Sequence, residues 1–304
     1  MSVSRIPLRD GQSLAVRVLG RGRPVLMLHG LGMRGDHWLP FILPHLSRHR
    51  FYLPDLRGAG RSADTPFKSG DIFQAHAEDV QDLIRHFGLD ELLLVGISLG
   101  ATTALHLHQL DGFSGVSRYL HIDQSPCIGN RSDWPHGLFG ARQEALFGTL
   151  QGILERVNDY PACRRFADLP ASVRHDVGAD LADVLALMAG GRGLKPLLSF
   201  LMRLPAPVLA RIPLPLADLG QMRTYLPAYV AGGHDYRASL ATCRIPITVF
   251  LGARSPLYAE AGQRVVAAYH PASRVVRFER SGHVPLKDEP LRFAREFADF
   301  LATA

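Results

Sequence analysis

The stretch Leu92–Gly100 reads LLLVGISLG, an apolar run that ends in the pattern Gly-x-Ser-x-Gly. Residues 101–108 are small at first and then apolar, which favours a helix packed closely on a sheet. The pattern therefore predicts a strand, a sharp turn at Ser98 and a helix. Glycines two positions before and after the serine remove Cβ atoms that would collide in a strained turn. We expect Ser98 Oγ to project from the sheet edge and the Leu99 N–H to be available as a donor.

Further strand patterns lie on both sides of this turn. Two runs that alternate around Asp10-Gly11 predict an antiparallel hairpin at the start of the chain. Buried strands are then expected at Val25–Leu28 and Phe51–Asp55, at Arg118–Asp123, and again at Ile247–Leu251. Helical patterns separate these strands. Such alternation is typical of an α/β protein with a mostly parallel sheet that is covered by helices on both faces.

The alternation stops between about residues 124 and 238, where short helical patterns are separated by joints rich in Pro and Gly, such as Gly190-Gly191. This segment is predicted to be a helical cap, inserted into a core formed by residues 1–123 and 239–304. The cap contains the apolar run Leu197–Met202, which predicts either an apolar binding pocket or the interior of the cap itself.

Composition excludes several classes of protein. The chain has 304 residues, 47% of them hydrophobic, and a formal net charge of +6. The basic residues are scattered and no basic block is interleaved with aromatics, so no nucleic-acid partner is expected, although a mild attraction to anionic surfaces fits the charge. No segment has the length and apolarity of a membrane span, and no signal-like apolar core follows the N-terminus, which favours a cytoplasmic protein without stable membrane insertion.

Metal and cofactor signals are also missing from the sequence. The three cysteines, Cys127, Cys163 and Cys243, are odd in number and lack C-x-x-C spacing, so neither a disulfide framework nor a zinc site is expected. Neither a phosphate loop nor a dinucleotide fingerprint occurs. The sequence therefore predicts no metal site and no cofactor, and it leaves the oligomeric state open.

Four motifs in chain order resemble a known family. They are His29-Gly30-Leu31-Gly32, Asp55–Ser62, Gly96–Gly100 and Ser281-Gly282-His283. Together they look like a capped α/β-hydrolase of the serine esterase type, a resemblance that spans the chain outside the cap. It implies an eight-stranded sheet with Ser98 as nucleophile, His283 as general base, and the backbone N–H groups of Leu31 and Leu99 as the oxyanion hole.

The chain departs from the family pattern at the acid of the triad. Relatives usually carry it just after the strand that is here Ile247–Leu251, but this sequence has Ser255 at the expected place. Some members place the acid after the preceding strand, and there this chain has Asp123. Asp123 keeps the order serine, acid, histidine and is our candidate, although an Asp followed by Gln-Ser-Pro is also a natural turn former. Asp235 and Glu260 are weaker candidates, and a dyad without a carboxylate is the remaining alternative.

A serine nucleophile with a histidine base and an oxyanion hole transfers acyl groups, so the expected substrate is a hydrophobic carboxylic ester, or a thioester or lactone. Two alternative functions would use the same residues. One is that of a cofactor-free perhydrolase of the haloperoxidase type, and the other is that of an acyltransferase. A reading from another class is a ligand-binding module that keeps the fold without efficient turnover, which the missing acid after Leu251 favours.

Overall fold

The computed structural model describes residues 2–68, 70–188, 192–209, 211–212 and 218–302. By its contacts the chain divides into two compact units. The first comprises Met1–Pro126, Asp235–Ala253 and Glu260–Ala304, and the second comprises Cys127–His234 and Arg254–Ala259. The Gly190-Gly191 joint predicted from the sequence lies outside the described residues.

The first unit is built on a sheet of eight strands. These strands are β1 Ser2–Pro7, β2 Ser13–Gly20, β3 Arg23–Leu28, β4 His49–Pro54, β5 Leu92–Ile97, β6 Val116–Ile122, β7 Ile247–Gly252 and β8 Arg274–Phe278. Their order across the sheet is β1-β2-β4-β3-β5-β6-β7-β8. The β1–β2 and β2–β4 pairs are antiparallel and the other pairs are parallel. The predicted eight-stranded, mostly parallel sheet is confirmed.

Seven α-helices belong to the described part of the first unit. They are α1 Leu39–Ile42, α2 Ile72–Phe87, α3 Leu99–Asp111, α9 Arg237–Leu240, α10 Glu260–Val265, α11 Pro285–Asp288 and α12 Pro290–Ala302. Short 3-10 turns occur at Gly35–Trp38, Leu43–His45, Gly60–Ser62 and Val266–Tyr269. Helix α2 shows how the sequence sets its ends, because the Asp71 carboxylate accepts the Phe73 N–H and Gly88 closes the helix at φ 59°.

The second unit is helical in its described residues. Its helices are α4 Gln143–Asn158, α5 Ala171–Met188, α6 Lys195–Met202, α7 Ala206–Leu209 and α8 Leu219–Ala231, with 3-10 turns at Gly140–Arg142, Phe166–Asp168 and Arg192–Leu194. The described residues contain no helix with the combined length and apolarity needed to cross a bilayer. The three cysteines are free thiols.

Aromatic packing fixes the end of the sheet where the last loops leave it. Phe293 and Phe297 of α12 lie one helical turn apart and stack at 5.9 Å between ring centroids. Phe293 also meets Phe250 of β7 edge-on at 5.8 Å, and Phe250 lies 5.3 Å from Phe278 of β8. These rings are fully buried. They anchor β7 and β8 against α12, so the loops that follow both strands start from rigid positions.

Candidate active site

Ser98 occupies the strained turn that the sequence predicts. It lies between β5 and α3 with φ 52° and ψ −117°, a conformation that a residue with a side chain rarely adopts. A Cβ built on Gly96 would approach Gly100 O to 2.6 Å, and one on Gly100 would approach Leu28 O to 2.3 Å. Only glycine fits at either position, so the two glycines of the motif are a steric requirement of the turn.

The neighbours of Ser98 come from two adjacent strands. The Ser98 N–H donates to Ile122 O at 3.1 Å, which ties the turn to the end of β6. A Cβ on Gly30, in the loop after β3, would lie 3.3 Å from Ser98 Cβ. The first N–H of α3 belongs to Leu99, and a first helical N–H has no acceptor within its own helix. The turn thus presents a hydroxyl and a backbone donor beside the Gly30-Leu31 loop.

His29 holds the loop that carries Leu31. The imidazole is buried; its Nε2 accepts the Leu56 N–H at 2.9 Å, so its Nδ1–H donates to Gly30 O at 2.8 Å. Gly30 O also accepts the Met33 N–H at 3.1 Å. Burial lowers the pKa of His29 to about 4, which keeps the ring neutral and this pattern of donors intact at neutral pH.

Asp123 and His283 are brought together. The Asp123 Oδ1 lies 2.7 Å from His283 Nδ1, and the aspartate is fully buried while the histidine side chain is 13% exposed. The other carboxylate oxygen, Oδ2, accepts the Gly252 N–H at 2.9 Å and the Gln263 amide at 3.3 Å. Asp123 has a left-handed φ of 44°, and its N–H donates to Phe250 O.

The register of the sheet sets Ser98 and Asp123 side by side. Ile97 of β5 pairs with Ile122 of β6, and each of these residues immediately precedes one of the two. Carboxyl ends of parallel strands meet at one edge of the sheet, which is where α/β proteins bind ligands. The serine turn and the carboxylate therefore leave neighbouring strands at the same level.

The His283 loop is held by carboxylates from α11 and the residue after it. The Asp288 Oδ2 accepts the Gly282 N–H at 2.9 Å, and Glu289 accepts the Arg280 N–H at 2.8 Å. On the side facing β7, a Cβ on Gly252 would come within 1.8 Å of Gly282 O. The loop is therefore packed directly on the end of β7.

The two weaker acid candidates are engaged by arginines. Asp235 accepts both the Nε and the Nη2 of Arg237, with the shortest contact at 2.7 Å. Glu260 accepts from Arg277 and Arg264, and hydrogen bonding to Arg277 is the main reason why its pKa is lowered. Ser255, at the usual acid position, accepts the Tyr258 N–H at 3.4 Å within its own turn.

Several other histidines of the first unit are bonded within the core. His106 lies 2.7 Å from Gln74 and His108 lies 2.6 Å from Ser239. His121 Nε2 lies 2.8 Å from Gln124 O and its Nδ1 lies 2.9 Å from the Tyr119 hydroxyl. His121 thereby ties down the carbonyl just after Asp123.

Sequence reasoning missed Gln263 altogether. Gln263 lies in α10 and is fully buried, and its amide reaches the carboxylate from the helix that follows β7. Nothing in its sequence neighbourhood, AEAGQRVVA, distinguishes it from an ordinary helical glutamine. The positioning role of His29 was also missed, although its place directly before Gly30 in the first motif was a usable signal.

Comparison with known proteins supports one family. A family model described as the alpha/beta hydrolase fold matches residues 23–290. The pimeloyl-[acyl-carrier protein] methyl ester esterase of Aeromonas hydrophila subsp. hydrophila is 25% identical over 293 residues, covering 95% of this chain and 99% of that protein. The protein of the same name from Chromobacterium violaceum is 26% identical and covers 96% and 99%. An esterase structure from Exiguobacterium antarcticum has a TM-score of 0.72 at 20% identity, covering 99% of this chain and 100% of that one.

Proposed function

The chain belongs to the α/β-hydrolase family, and from that membership we propose that it is a serine hydrolase of carboxylic esters with Ser98, His283 and Asp123 as its triad. The observation that carries the proposal is the 2.7 Å contact between His283 Nδ1 and the buried carboxylate of Asp123. It supplies the acid that the sequence lacks after β7. The names of the curated relatives, which are ester esterases, support the reaction class.

In the proposed mechanism, His283 Nε2 takes the Ser98 proton as Oγ attacks the ester carbonyl carbon. The C–O π electrons move to the carbonyl oxygen, and the backbone N–H groups of Leu31 and Leu99 stabilise the negative charge that develops there. Asp123 accepts from Nδ1, which fixes the tautomer that leaves Nε2 free to act as base and stabilises the imidazolium.

Collapse of the tetrahedral intermediate breaks the bond to the alcohol oxygen. His283 gives its proton to the departing alkoxide, and the acyl group stays on Ser98 Oγ. Water then attacks the acyl carbon while His283 takes one of its protons, and the bond to Ser98 Oγ breaks as His283 passes that proton to Oγ and the carboxylic acid leaves. The proton that Ser98 loses departs with the alcohol, and the one that it regains comes from the attacking water through His283, so one water is consumed and the enzyme returns to its starting state.

For the substrate we propose an ester with a hydrophobic acyl or alcohol part. The two curated relatives are named for methyl esters of a pimeloyl chain carried on acyl-carrier protein. Small alkyl esters of medium-length acyl chains are therefore the first substrates to assay. Assignment of residues 124–238 as a cap and a cytoplasmic location stay predictions.

The test is covalent labelling by a fluorophosphonate, read as intact mass. We expect a single adduct on the wild type, none on Ser98→Ala, and much slower labelling of Asp123→Asn. Ser114→Ala is the matched control, since it removes the hydroxyl of an exposed serine and should label like the wild type. A folded wild-type protein that forms no adduct contradicts the mechanism and favours a ligand-binding module. Transfer of the acyl group to an added alcohol would support the acyltransferase hypothesis. Transfer to added peroxide would support the perhydrolase hypothesis.

A further inference from the structure

Helix α6 of the second unit carries large apolar side chains in solvent. Leu197 is 54% and Phe200 62% exposed, one helical turn apart. Leu194 before the helix and Val208 in α7 are also exposed. We call these four residues, together with Arg203 and Arg211, the α6 patch. For these two side chains the interpretation of residues 197–202 as cap interior is wrong, because only Met202 of that run is buried. The interpretation as a pocket stays a prediction.

The stretch of chain that carries the patch has ionisable residues of one sign. Residues 184–217 contain no Asp or Glu, whereas they include Arg192, Lys195, Arg203 and Arg211. The acid that directly precedes this segment, Asp183, pairs with Lys195. Arg203 and Arg211 are exposed. The surface therefore combines apolar side chains with positive charge that no acid of the segment offsets.

The same segment has few groups that could satisfy a polar partner. Ser199 is the sole uncharged polar side chain among residues 184–217. A protein interface carries about one hydrogen bond per 100–200 Å². In this segment only Ser199, the cations and the backbone could form such bonds. Insertion of leucine and phenylalanine among acyl chains needs no such bonds, and cations at the rim suit anionic headgroups.

We propose that the α6 patch docks on a lipid surface bearing anionic headgroups. Leu197 and Phe200 enter the boundary between headgroups and acyl chains, while Arg203 and Arg211 contact the phosphates. This is attachment in the plane of the interface and requires no spanning segment. It goes beyond the proposed function, and it would place the protein where hydrophobic esters accumulate.

The experiment is co-sedimentation of the full-length protein with vesicles of equal parts phosphatidylglycerol and phosphatidylcholine, compared with phosphatidylcholine alone. We expect saturable binding to the anionic vesicles, weakened by added salt because exposed charges are screened. The double variant Leu197→Ser/Phe200→Ser should bind at least about tenfold more weakly, given the transfer free energy of two large apolar side chains. Arg203→Gln/Arg211→Gln should lose the preference for anionic lipid.

Matched controls come from the first unit. Among the described residues, Leu291 is the large apolar side chain with the highest exposure, 88%, and Arg48 is an exposed cation. Neither Leu291→Ser nor Arg48→Gln should change binding. Thermal unfolding checks that each variant is folded.

If the wild type fails to sediment with anionic vesicles, or if the α6 variants bind as the wild type does, the proposal is wrong. Self-association lost in the α6 variants, without vesicle binding, would instead assign the patch to a second copy of the chain. Vesicle binding is measured without substrate. A failure of the lipid proposal is therefore distinguishable from a failure of the proposed ester hydrolysis.

Discussion

At the scale of single residues, Asp123 combines features that an ordinary turn former does not need. A left-handed φ costs an aspartate roughly 1 kcal/mol or more, and here the carboxylate is also fully buried. Three donors face its two oxygens, from His283, Gly252 and Gln263. A buried carboxylate held this way cannot rotate, and so it presents one oxygen to the imidazole in a fixed direction.

We therefore expect Asp123→Asn to lower kcat by about 10⁴-fold, since an amide favours the wrong imidazole tautomer. Steady-state hydrolysis of a soluble p-nitrophenyl ester measures this directly. Asp235→Asn and Glu260→Gln are the controls and should stay near wild-type turnover. If Asp123→Asn retains turnover while one of the other two loses it, the acid is misassigned.

Gln263 is expected to act as a positioning residue for Asp123. A hydrogen bond to a charged group contributes about 1.5–3 kcal/mol, so Gln263→Ala should lower kcat about tenfold or more with little change in KM. Gln263→Glu should move the acidic limb of the kcat/KM profile to higher pH, because a second negative charge favours the protonated imidazole. Gln109→Ala, at an exposed site, is the control. An unshifted profile with reduced stability alone would indicate a structural role only.

At the scale of elements, β7 and the His283 loop approach so closely that a Cβ added to Gly252 would meet its neighbour at a shorter distance than at any other described glycine. The Cβ of alanine at position 252 would lie 1.8 Å from Gly282 O, so backbone must move. We expect Gly252→Ala to lower the free energy of unfolding by about 1–3 kcal/mol and to reduce kcat as the histidine is displaced.

Urea unfolding and ester hydrolysis together measure the effect of Gly252→Ala. Gly148→Ala is the matched control, because it lies within α4 with nothing near the added Cβ. It should leave turnover unchanged and raise stability by about 0.5–1 kcal/mol, as expected for removal of glycine from a helix interior. Equal turnover and equal stability of Gly252→Ala and Gly148→Ala would show that the His283 loop can accommodate the added Cβ.

The elements that sequence could predict are those with strong local signals. The run LLLVGISLG gave β5, the turn and α3, and hydrophobic runs gave β3, β4 and β7 to within a few residues. The contacts that complete the candidate site join residues far apart in the chain, such as Asp123 with Gln263 and Gly252 with Gly282. These contacts depend on how the ends of β6 and β7 meet helix α10 and the His283 loop, and no local sequence pattern encodes that arrangement. Exposure of Leu197 and Phe200 was missed for a similar reason, since an apolar run is the same in sequence whether it is covered or not.

At the scale of the whole molecule, buried histidines couple stability to pH. Burial lowers the pKa of His29 and His121 to about 4 and that of His76 to about 3, from an ordinary value of 6.5. Between about pH 6.5 and 4 the unfolded chain therefore binds more protons than the folded one, so unfolding is favoured as pH falls. Above pH 7 these rings are neutral in both states and add no pH dependence.

We expect the free energy of unfolding to fall by more than about 1.4 kcal/mol per pH unit between pH 6 and 4.5, the slope for one proton. Urea titrations at several pH values measure it. Asp79 opposes this slope by about one proton at most, because burial raises the pKa of its carboxyl to about 6 and the folded state therefore binds that proton first. Asp10, Asp36 and Glu260, whose pKa values are lowered, add to acid sensitivity chiefly below about pH 4.5. A flat dependence between pH 6.5 and 5 would contradict neutral burial of the three histidines.

The placement of the acid directly after β6 has a consequence for which substitutions this enzyme should tolerate. On the proposed triad, the turn after β7 carries no reacting group, and its residues Arg254–Ala259 group with the second compact unit. Substitutions in this turn then leave the three reacting side chains in place. A laboratory library that randomises Arg254, Ser255 and Pro256, which are not buried, should therefore yield many clones with wild-type turnover.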